Sequence, residues 1–192
     1  ATYLPNIELG THMIVMDAAD RNLLQIYQQE RPDLNMNRPL MQQVAEAVLH
    51  LHDQKLMHGD LKTPNIVRPR IDNRLRTIDF DASAIIGAPE AYAAAKFSSA
   101  VLPPELIYKL ASGEDERSDL ATYWSKSDDK ALQAKVAPLR FGGRLYAVKS
   151  FRTDESGRAI KVGLPYRLVE ASEKIDSWAY GTIAYLLCAG EP

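Results

Sequence analysis

Two polar segments, joined by a short hairpin pattern, constrain this chain more than any other feature. The first is His58-Gly59-Asp60-Leu61-Lys62-Thr63-Pro64-Asn65, and the second is Ile78-Asp79-Phe80-Asp81. The chain between them has two short apolar runs on either side of a turn-like Asp72-Asn73, which is typical of a β-hairpin. Because a hairpin brings its two ends together, we expect Asp79 to lie near Asn65 and Asp60.

The side chains of these segments suit one kind of chemistry when they are taken together. Oxygens of Asn65 and Asp79 are the ligands that Mg²⁺ prefers. The carboxylate of Asp60 suits a proton acceptor or an orienter of a hydroxyl nucleophile. Lys62 suits the negative charge of a phosphoryl group in transfer. Any one of them alone is better explained as a turn or cap residue, but the full set favours a site.

The two segments resemble the catalytic loop H-R-D-L-K-x-x-N and the metal-binding D-F-G of eukaryotic protein kinases. The resemblance implies that Asp60 is the catalytic base and that Lys62 contacts the γ-phosphate of ATP. It also implies that Asn65 and Asp79 hold Mg²⁺. The cofactors expected from it are therefore ATP and Mg²⁺.

Two positions depart from the family pattern. Gly59 replaces the Arg that pairs with a phosphorylated activation loop, so we do not expect that mode of switching. Asp81 replaces the Gly of D-F-G, which adds a charge beside the metal site and reduces backbone freedom there.

Upstream, Met13-Ile14-Val15-Met16 predicts a strand. In the kinase resemblance this strand leads to the hinge, where the backbone of Asp17, Ala18 and Ala19 faces adenine. Asp20 is predicted to cap a short helix through Tyr27. A loop over 31–37 and a long amphipathic helix from Pro39 to about Gln54 follow, since Pro suits a first helical position.

Downstream, the segment from Ser98 to Glu105 resembles the end of a kinase activation segment. Pro103-Pro104-Glu105 stands for A-P-E, and Ser98 falls where the family has a Thr that bonds the catalytic Asp and Lys. In the family this Glu pairs with a distant Arg, and we expect the partner of Glu105 to lie outside this chain. A helix is predicted over Leu106–Leu110.

Residues 112–170 are predicted to be a long insertion before the next helix. Long loops are usually functional or disordered, and this one is predicted to carry its own hairpin. The predicted elements are an acidic loop over 112–119, a short helix over 128–137, a strand over 144–151, and a partner strand over 159–162.

Within this insertion Tyr146-Ala147-Val148-Lys149 resembles the V-A-I-K strand of kinases. It follows the catalytic loop instead of preceding it, so Lys149 is interpreted as a half-exposed strand lysine. A small basic face or an ordinary solvated surface would equally explain four cations of this region, Arg140, Arg144, Lys149 and Arg152.

The stretch Asp176-Ser177-Trp178-Ala179-Tyr180-Gly181 resembles the D-x-W-x-x-G that opens the central helix of the kinase C-lobe. Asp176 is expected to bond the backbone of the catalytic loop, and Trp178 is expected to be buried. The helix is predicted to end at Gly190.

We therefore predict a mainly α fold with small β-hairpins, resembling a kinase C-terminal lobe with the N-lobe largely absent. Residues 1–192 form a single partial domain interrupted by the insertion at 112–170. The 192 residues are 46% hydrophobic with a net charge of −2, which gives no broad nucleic-acid footprint. The single cysteine excludes an internal disulfide, and we expect a cytoplasmic location without membrane contact.

The leading interpretation is the C-lobe of a Ser/Thr-type protein kinase, acting on a protein substrate. Its expected partners are the missing N-lobe and the remaining C-lobe of the same parent chain, so the fragment alone should be inactive and bind ATP weakly. Micromolar binding of Mg-ATP would contradict this expectation. Two alternatives stay open: an aminoglycoside- or choline-kinase-like phosphotransferase, which also uses H-G-D and I-D-F, and a non-catalytic pseudokinase scaffold.

Overall fold

The structure, a computed structural model, describes residues 15–98, 102–111 and 114–189. Its helices are Leu23–Glu30 (α1), Leu34–Asp53 (α2), Glu114–Trp124 (α3), Lys130–Val136 (α4) and Glu173–Ala189 (α5). Its strands are Ala19–Asn22 (β1), Leu56–Met57 (β2), Ile66–Pro69 (β3), Arg76–Thr77 (β4), Ala84–Ile85 (β5), Ile107–Lys109 (β6), Leu139–Phe141 (β7), Arg144–Val148 (β8), Arg152–Thr153 (β9) and Ala159–Ile160 (β10). The strands form small antiparallel sheets, so the predicted mainly α architecture with short hairpins is confirmed.

Four predicted features fall wholly or partly outside the described residues. They are Met13-Ile14 of the first strand, residues 99–101 of the activation segment, residues 112–113 of the acidic loop, and the helix end at Gly190. Val15 and Met16 are described, and they are exposed and have no regular structure.

The two helices at the start differ from the predicted ones at their N-termini. Asn22, not Asp20, caps α1, because its side chain accepts from Gln25 N in a reciprocal capping box. The long helix α2 begins at Leu34 and not at Pro39, since the side chain of Asp33 accepts from Met36 N. Part of the predicted loop is therefore helical.

A tertiary contact accounts for the longer α2. The buried side chain of Asn37 donates to Leu187 O near the end of α5, at 2.5 Å. This bond holds the first turn of α2 against α5, so the helix tolerates Pro39 in its second turn despite the lost backbone hydrogen bond. Between the two helices lies one apolar cluster, which includes Ile26, Val44 and Ile183.

The hairpin between the two polar segments is present as predicted. Strands β3 and β4 pair antiparallel, with Ile66 opposite Thr77. The backbone N–H of Ile78 donates to Asn65 O at 2.9 Å, which extends the pairing to the ends of both polar segments. A second short pair, β2 with β5, flanks the first segment on its other side.

The region predicted to be an insertion, called the insertion below, is folded, but two predictions within it and one just before it are wrong. Leu106–Leu110 is not a helix: β6 pairs with β8. The acidic stretch begins helix α3, where Glu114, Asp115 and Glu116 occupy the first turn and so interact favourably with the helix dipole. Residues 159–160 pair with β9, whereas β8 pairs with β6 and β7. The short helix predicted over 128–137 is confirmed as α4.

The insertion shares a hydrophobic core with the residues around the polar segments. Its buried side chains, including Leu120, Trp124 and Leu145, belong to one cluster with Met57 and Ile175. Helix α5 contacts both apolar clusters, since Ile183 belongs to the other one. Among the described residues, no helix is long and apolar enough to cross a membrane.

Candidate active site

The first polar segment is held by one buried carboxylate. Asp176, near the start of α5, has no exposed surface. Its oxygens accept from the backbone N–H of His58 at 2.8 Å and of Gly59 at 2.9 Å. The ring Nε2 of His52 also lies 3.0 Å from Asp176. The predicted bracing contact is thus confirmed, and a buried acid with three partners fixes the loop.

Gly59 occupies a backbone position that other residues rarely adopt. Its φ is +80°, and a Cβ built there would lie 2.3 Å from the carbonyl oxygen of Ala82. The sequence indicated only the loss of an Arg at this position. The structure shows that glycine is required by both its conformation and the close approach of the backbone.

The carboxylate of Asp60 is buried and only half satisfied. Its Oδ2 accepts from Lys62 Nζ at 2.6 Å, and Lys62 Nζ also donates to Ser98 Oγ at 2.9 Å. The other oxygen, Oδ1, is buried without a hydrogen-bond partner among the described residues. An orphaned carboxylate oxygen of this kind suits the acceptance of a proton or a hydroxyl hydrogen bond. The predicted contact of Ser98 is confirmed for Lys62.

Asn65 and Asp79 converge as the hairpin predicted. Asn65 is buried, and its Nδ2 donates to Asp60 O at 3.0 Å and reaches Asp79 Oδ2 at 3.4 Å. Asp79 is exposed and has a φ of +68°, a conformation that Asp tolerates better than most residues. One carboxylate and one amide side chain are thus directed to the same place.

This donor set fits Mg²⁺ held jointly with phosphates. The described residues contain no group of three or more His, Cys, Asp or Glu able to hold a metal alone. Mg²⁺ usually takes one or two carboxylates together with substrate phosphates and water. The Asp79 carboxylate and the Asn65 side chain could share such a metal with a phosphate group.

A cleft of about 940 Å³ opens beside Asp79. Val15, Met16, Asp17, Val67, Pro69, Arg76, Thr77, Ile78, Asp79, Phe80 and Asp81 line it. Of the predicted hinge residues, Asp17 lies in this cleft, whereas Ala18 and Ala19 are exposed outside its lining. Ala19 instead pairs with Pro69 in the first sheet. The cleft places Asp17 and Asp79 along one concave surface large enough for a small ligand.

Asp81 has a partner that the sequence did not indicate. The ammonium of Lys96 donates to the carboxylate of Asp81. This hydrogen bond holds the pKa of the Asp81 carboxyl below its usual range and raises the pKa of Lys96. Lys96 lies two residues before Ser98, so the same short segment contacts both polar segments. Neither motif nor spacing pointed to Lys96, because the contact depends on how residues 82–95 fold back.

His58 is a packed structural residue, as predicted. The ring of His58 has no exposed surface, lies 3.1 Å from Ile78 O through Nε2, and lies 5.0 Å from the ring of Phe80. His52 was not singled out for its contact with Asp176, and the 124-residue separation between the two residues explains why no local pattern indicated it.

Trp178 is 44% exposed, so the prediction that it is buried is wrong. It lines an apolar groove of about 720 Å³ that runs along α5 beside Lys62, Pro64 and Ser98. Trp178 lies on the side of α5 that faces away from its buried residues, and this side of the helix lines the groove together with Lys62 and Pro64 of the first polar segment.

Glu105 is exposed, and the described residues give it no ion pair.

In this site Asp176 holds the first polar segment, Lys62 contacts the buried Asp60, and Asn65 lies beside Asp79. The family model of the protein kinase domain matches residues 7–126. The chain belongs to the protein kinase family.

Curated relatives agree over part of the chain. It is 34% identical over 85 residues to the serine/threonine-protein kinase mph1 of Schizosaccharomyces pombe, which is 43% of this chain and 12% of that protein. It is also 34% identical over 85 residues to the hormonally up-regulated neu tumor-associated kinase of Mus musculus, with the same shares. The chain thus spans only 12% of the length of these relatives.

One solved structure is similar over most of the chain. The structure of the Cydia pomonella granulovirus kinase PK-1 aligns with 91% of this chain and 42% of that one, with 17% identity and a TM-score of 0.49.

Proposed function

We propose that this chain is part of the catalytic lobe of a protein kinase that transfers the γ-phosphate of ATP to Ser or Thr hydroxyls. The observation that carries the proposal is the buried, unpartnered Oδ1 of Asp60 beside the Lys62–Ser98 contact. An unsatisfied buried acceptor is costly, and a substrate hydroxyl is the group that would satisfy it.

Each residue has a role in this proposal. Asp60 orients the substrate hydroxyl and accepts its proton, and Lys62 neutralises charge on the transferring group. Asn65 and Asp79 hold Mg²⁺, which neutralises charge on the triphosphate when it is bound. The cleft at Asp17 and Asp79 receives the nucleotide, with the backbone of Asp17 next to adenine.

Ser98 supports Ser/Thr chemistry through its contact with Lys62. The hydroxyl holds the ammonium at the position where it also bonds Asp60, so the base and the cation keep a fixed separation. The catalytic-lobe proposal also includes partners: further segments of the parent protein would cover the apolar groove at Trp178, and the N-lobe would cover the nucleotide cleft.

The test is phosphate transfer by the full-length protein and its Asp60→Asn variant. Incorporation of labelled phosphate from Mg-ATP is measured on a mixture of protein substrates, and separately on amine and sugar substrates. We expect transfer to proteins, and we expect Asp60→Asn to lower it roughly 10²–10⁴-fold because the proton acceptor is lost.

Asp128→Asn is the matched control, since Asp128 is an exposed carboxylate outside both polar segments. Transfer only to amines or sugars would favour a small-molecule phosphotransferase. Equal transfer by Asp60→Asn would contradict the proposed role of Asp60, and absence of any transfer would favour a scaffold.

A further inference from the structure

The three-stranded sheet of the insertion has an unusual exposed face. Its strand order is β6-β8-β7, and residues directly opposite each other share a face. One face is buried: it carries Leu145 and Ala147 of β8, and Tyr108 of β6 packs with them against the core. The other face is formed by alternate residues of all three strands.

The second face, here called the outer face, is apolar. Register places Ile107 opposite Val148, which packs partly against the core, and Leu139 opposite Tyr146. Leu139 is 72% exposed, Phe141 80% and Ile107 38%. An antiparallel sheet with one face in the core normally presents polar residues on the other. Contiguous exposed apolar side chains on such a face indicate an interaction surface.

Two cations sit within the outer face. Lys109 is opposite Tyr146, and Arg144 is opposite Phe141. Both are exposed, and neither forms an ion pair within the part of the chain that the structure describes. The apolar surface therefore carries two positive charges whose counterions are not supplied by the described residues.

The sequence suggested a different basic face, which the structure does not form. Arg140 lies on the opposite side of β7 from Leu139 and Phe141, where it approaches Glu114 at 3.5 Å. Arg152 stacks over the ring of Tyr123 at 4.5 Å. Only Arg144 of the four cations is on the outer face, and Lys109 of β6 joins it there.

We propose that the outer face binds an amphipathic helix of a partner protein, with an apolar stripe flanked by Asp and Glu. Three strands spaced about 4.8 Å apart make a face roughly 10 Å wide, which matches the diameter of one helix, about 10 Å. The acidic flank faces Lys109 and Arg144. An added strand is a poorer fit, because the edge strand β7 has only three residues and offers few backbone groups.

The test uses the full-length protein and two labelled synthetic helical peptides, each about 16 residues long. Both carry Leu at helical spacing, and the remaining positions are Glu in one and Lys in the other. Binding is measured by fluorescence anisotropy. We expect the Glu peptide to bind, and the double change Leu139→Ser with Phe141→Ser to weaken it by about tenfold or more, because the apolar anchors are lost.

Val162→Ser is the matched control, because Val162 is an apolar side chain that is 89% exposed in a loop, and it should bind the Glu peptide as the unaltered protein does. The charge reversal Lys109→Glu with Arg144→Glu should abolish binding of the Glu peptide and create binding of the Lys peptide. Both changes affect exposed side chains, so thermal unfolding should stay unchanged and confirm that each variant is folded.

Three results would overturn the proposal. The first is no binding of the Glu peptide, and the second is a loss of binding in Val162→Ser as large as in the Leu139 and Phe141 double variant. The third is a concentration-dependent dimer in sedimentation that Phe141→Ser dissociates, because it would assign the face to a second copy of the chain. None of these measurements depends on phosphate transfer, so their outcome is independent of the proposed kinase activity.

Discussion

Position 59 accepts only glycine for two separable reasons. The backbone is left-handed at φ +80°, and the Ala82 carbonyl leaves no room for a side chain. Gly87 has nearly the same φ, +81°, but nothing within 4 Å of a Cβ. The two glycines therefore separate the cost of conformation from the cost of contact.

We expect Gly87→Ala to lower the free energy of unfolding by about 1–2 kcal/mol, the cost of a left-handed non-glycine residue. Gly59→Ala should cost clearly more, because the added methyl also displaces the Ala82 backbone. Urea unfolding of both variants measures the difference. Equal losses would show that the chain around Ala82 yields without cost.

The ion pair of Asp81 and Lys96 gives a second single-residue prediction. Lys96→Met should raise the pKa of Asp81 toward the ordinary value of about 3.9, because the hydrogen bond from Lys96 is the main cause of its lowering. Carbon NMR of the labelled carboxyl, titrated with pH, measures this pKa.

The sign of the linked stability follows from that direction. A lowered pKa in the folded state stabilises the fold above the ordinary pKa, and the stabilisation is lost as pH falls through the lower folded value. Lys161→Met is the control, since Lys161 pairs with Glu90 instead, and the Asp81 titration should not move in that variant. The pair is solvent-exposed, so its effect on overall stability is small.

Helix α5 holds the first polar segment through the side chain of Asp176. Asp176 receives two backbone N–H groups and faces His52, so the loop's conformation depends on an acceptor supplied by a distant helix. Asp60 directly follows the two residues that this element holds.

Asp176→Asn should destabilise the protein by about 2–4 kcal/mol, because an amide nitrogen then faces a buried donor and leaves it unpaired. Thermal and urea unfolding measure the loss. Glu173→Gln makes the same chemical change one turn earlier on an exposed part of α5, and it should be close to neutral. A neutral Asp176→Asn would mean that the loop holds its shape without the brace.

Sequence patterns predicted those elements whose cause is local. The hairpin of β3 and β4 follows from its turn and apolar runs, and the body of α2 follows from helical periodicity. Strand β6 was mistaken for a helix because its partner β8 lies far along the chain, and short apolar runs take the structure their partner imposes. The Gly142-Gly143 pair, both with positive φ, was a hairpin signal for β7 and β8 that was overlooked.

The candidate site follows the same division. Asp60, Lys62, Asn65 and Asp79 could be predicted because they are close in sequence or joined by a hairpin. Lys96 and His52 could not, since each contact depends on long-range packing. The exposure of Trp178 depends likewise on what covers α5, which no local pattern specifies.

The insertion shares one hydrophobic core with residues beside the first polar segment, so we expect the two regions to unfold as one unit. Trp124 lies in the insertion's part of that core, and Trp178 lies on α5. The chain contains only these two tryptophans, so single-tryptophan variants report on each region separately.

For each of the variants Trp124→Phe and Trp178→Phe, the urea midpoint from fluorescence is compared with the midpoint from far-UV circular dichroism of the same variant. We expect the two midpoints to coincide in both variants. Coincidence would follow from the cluster that joins Met57 and Ile175 to Leu120 and Leu145. An earlier transition at Trp124 would instead show that the insertion is a separate folding unit.

The contact between Asp176 and the backbone of Gly59 spans 117 residues, and it has a consequence for synthesis on the ribosome. When residues 58–65 leave the exit tunnel, the carboxylate that fixes them has not yet been translated. At about 5–20 residues per second, the nascent chain waits many seconds before α5 emerges. Residues 58–65 therefore reach their final conformation only after α5 has been translated, and a nascent chain that ends before Asp176 cannot form this contact.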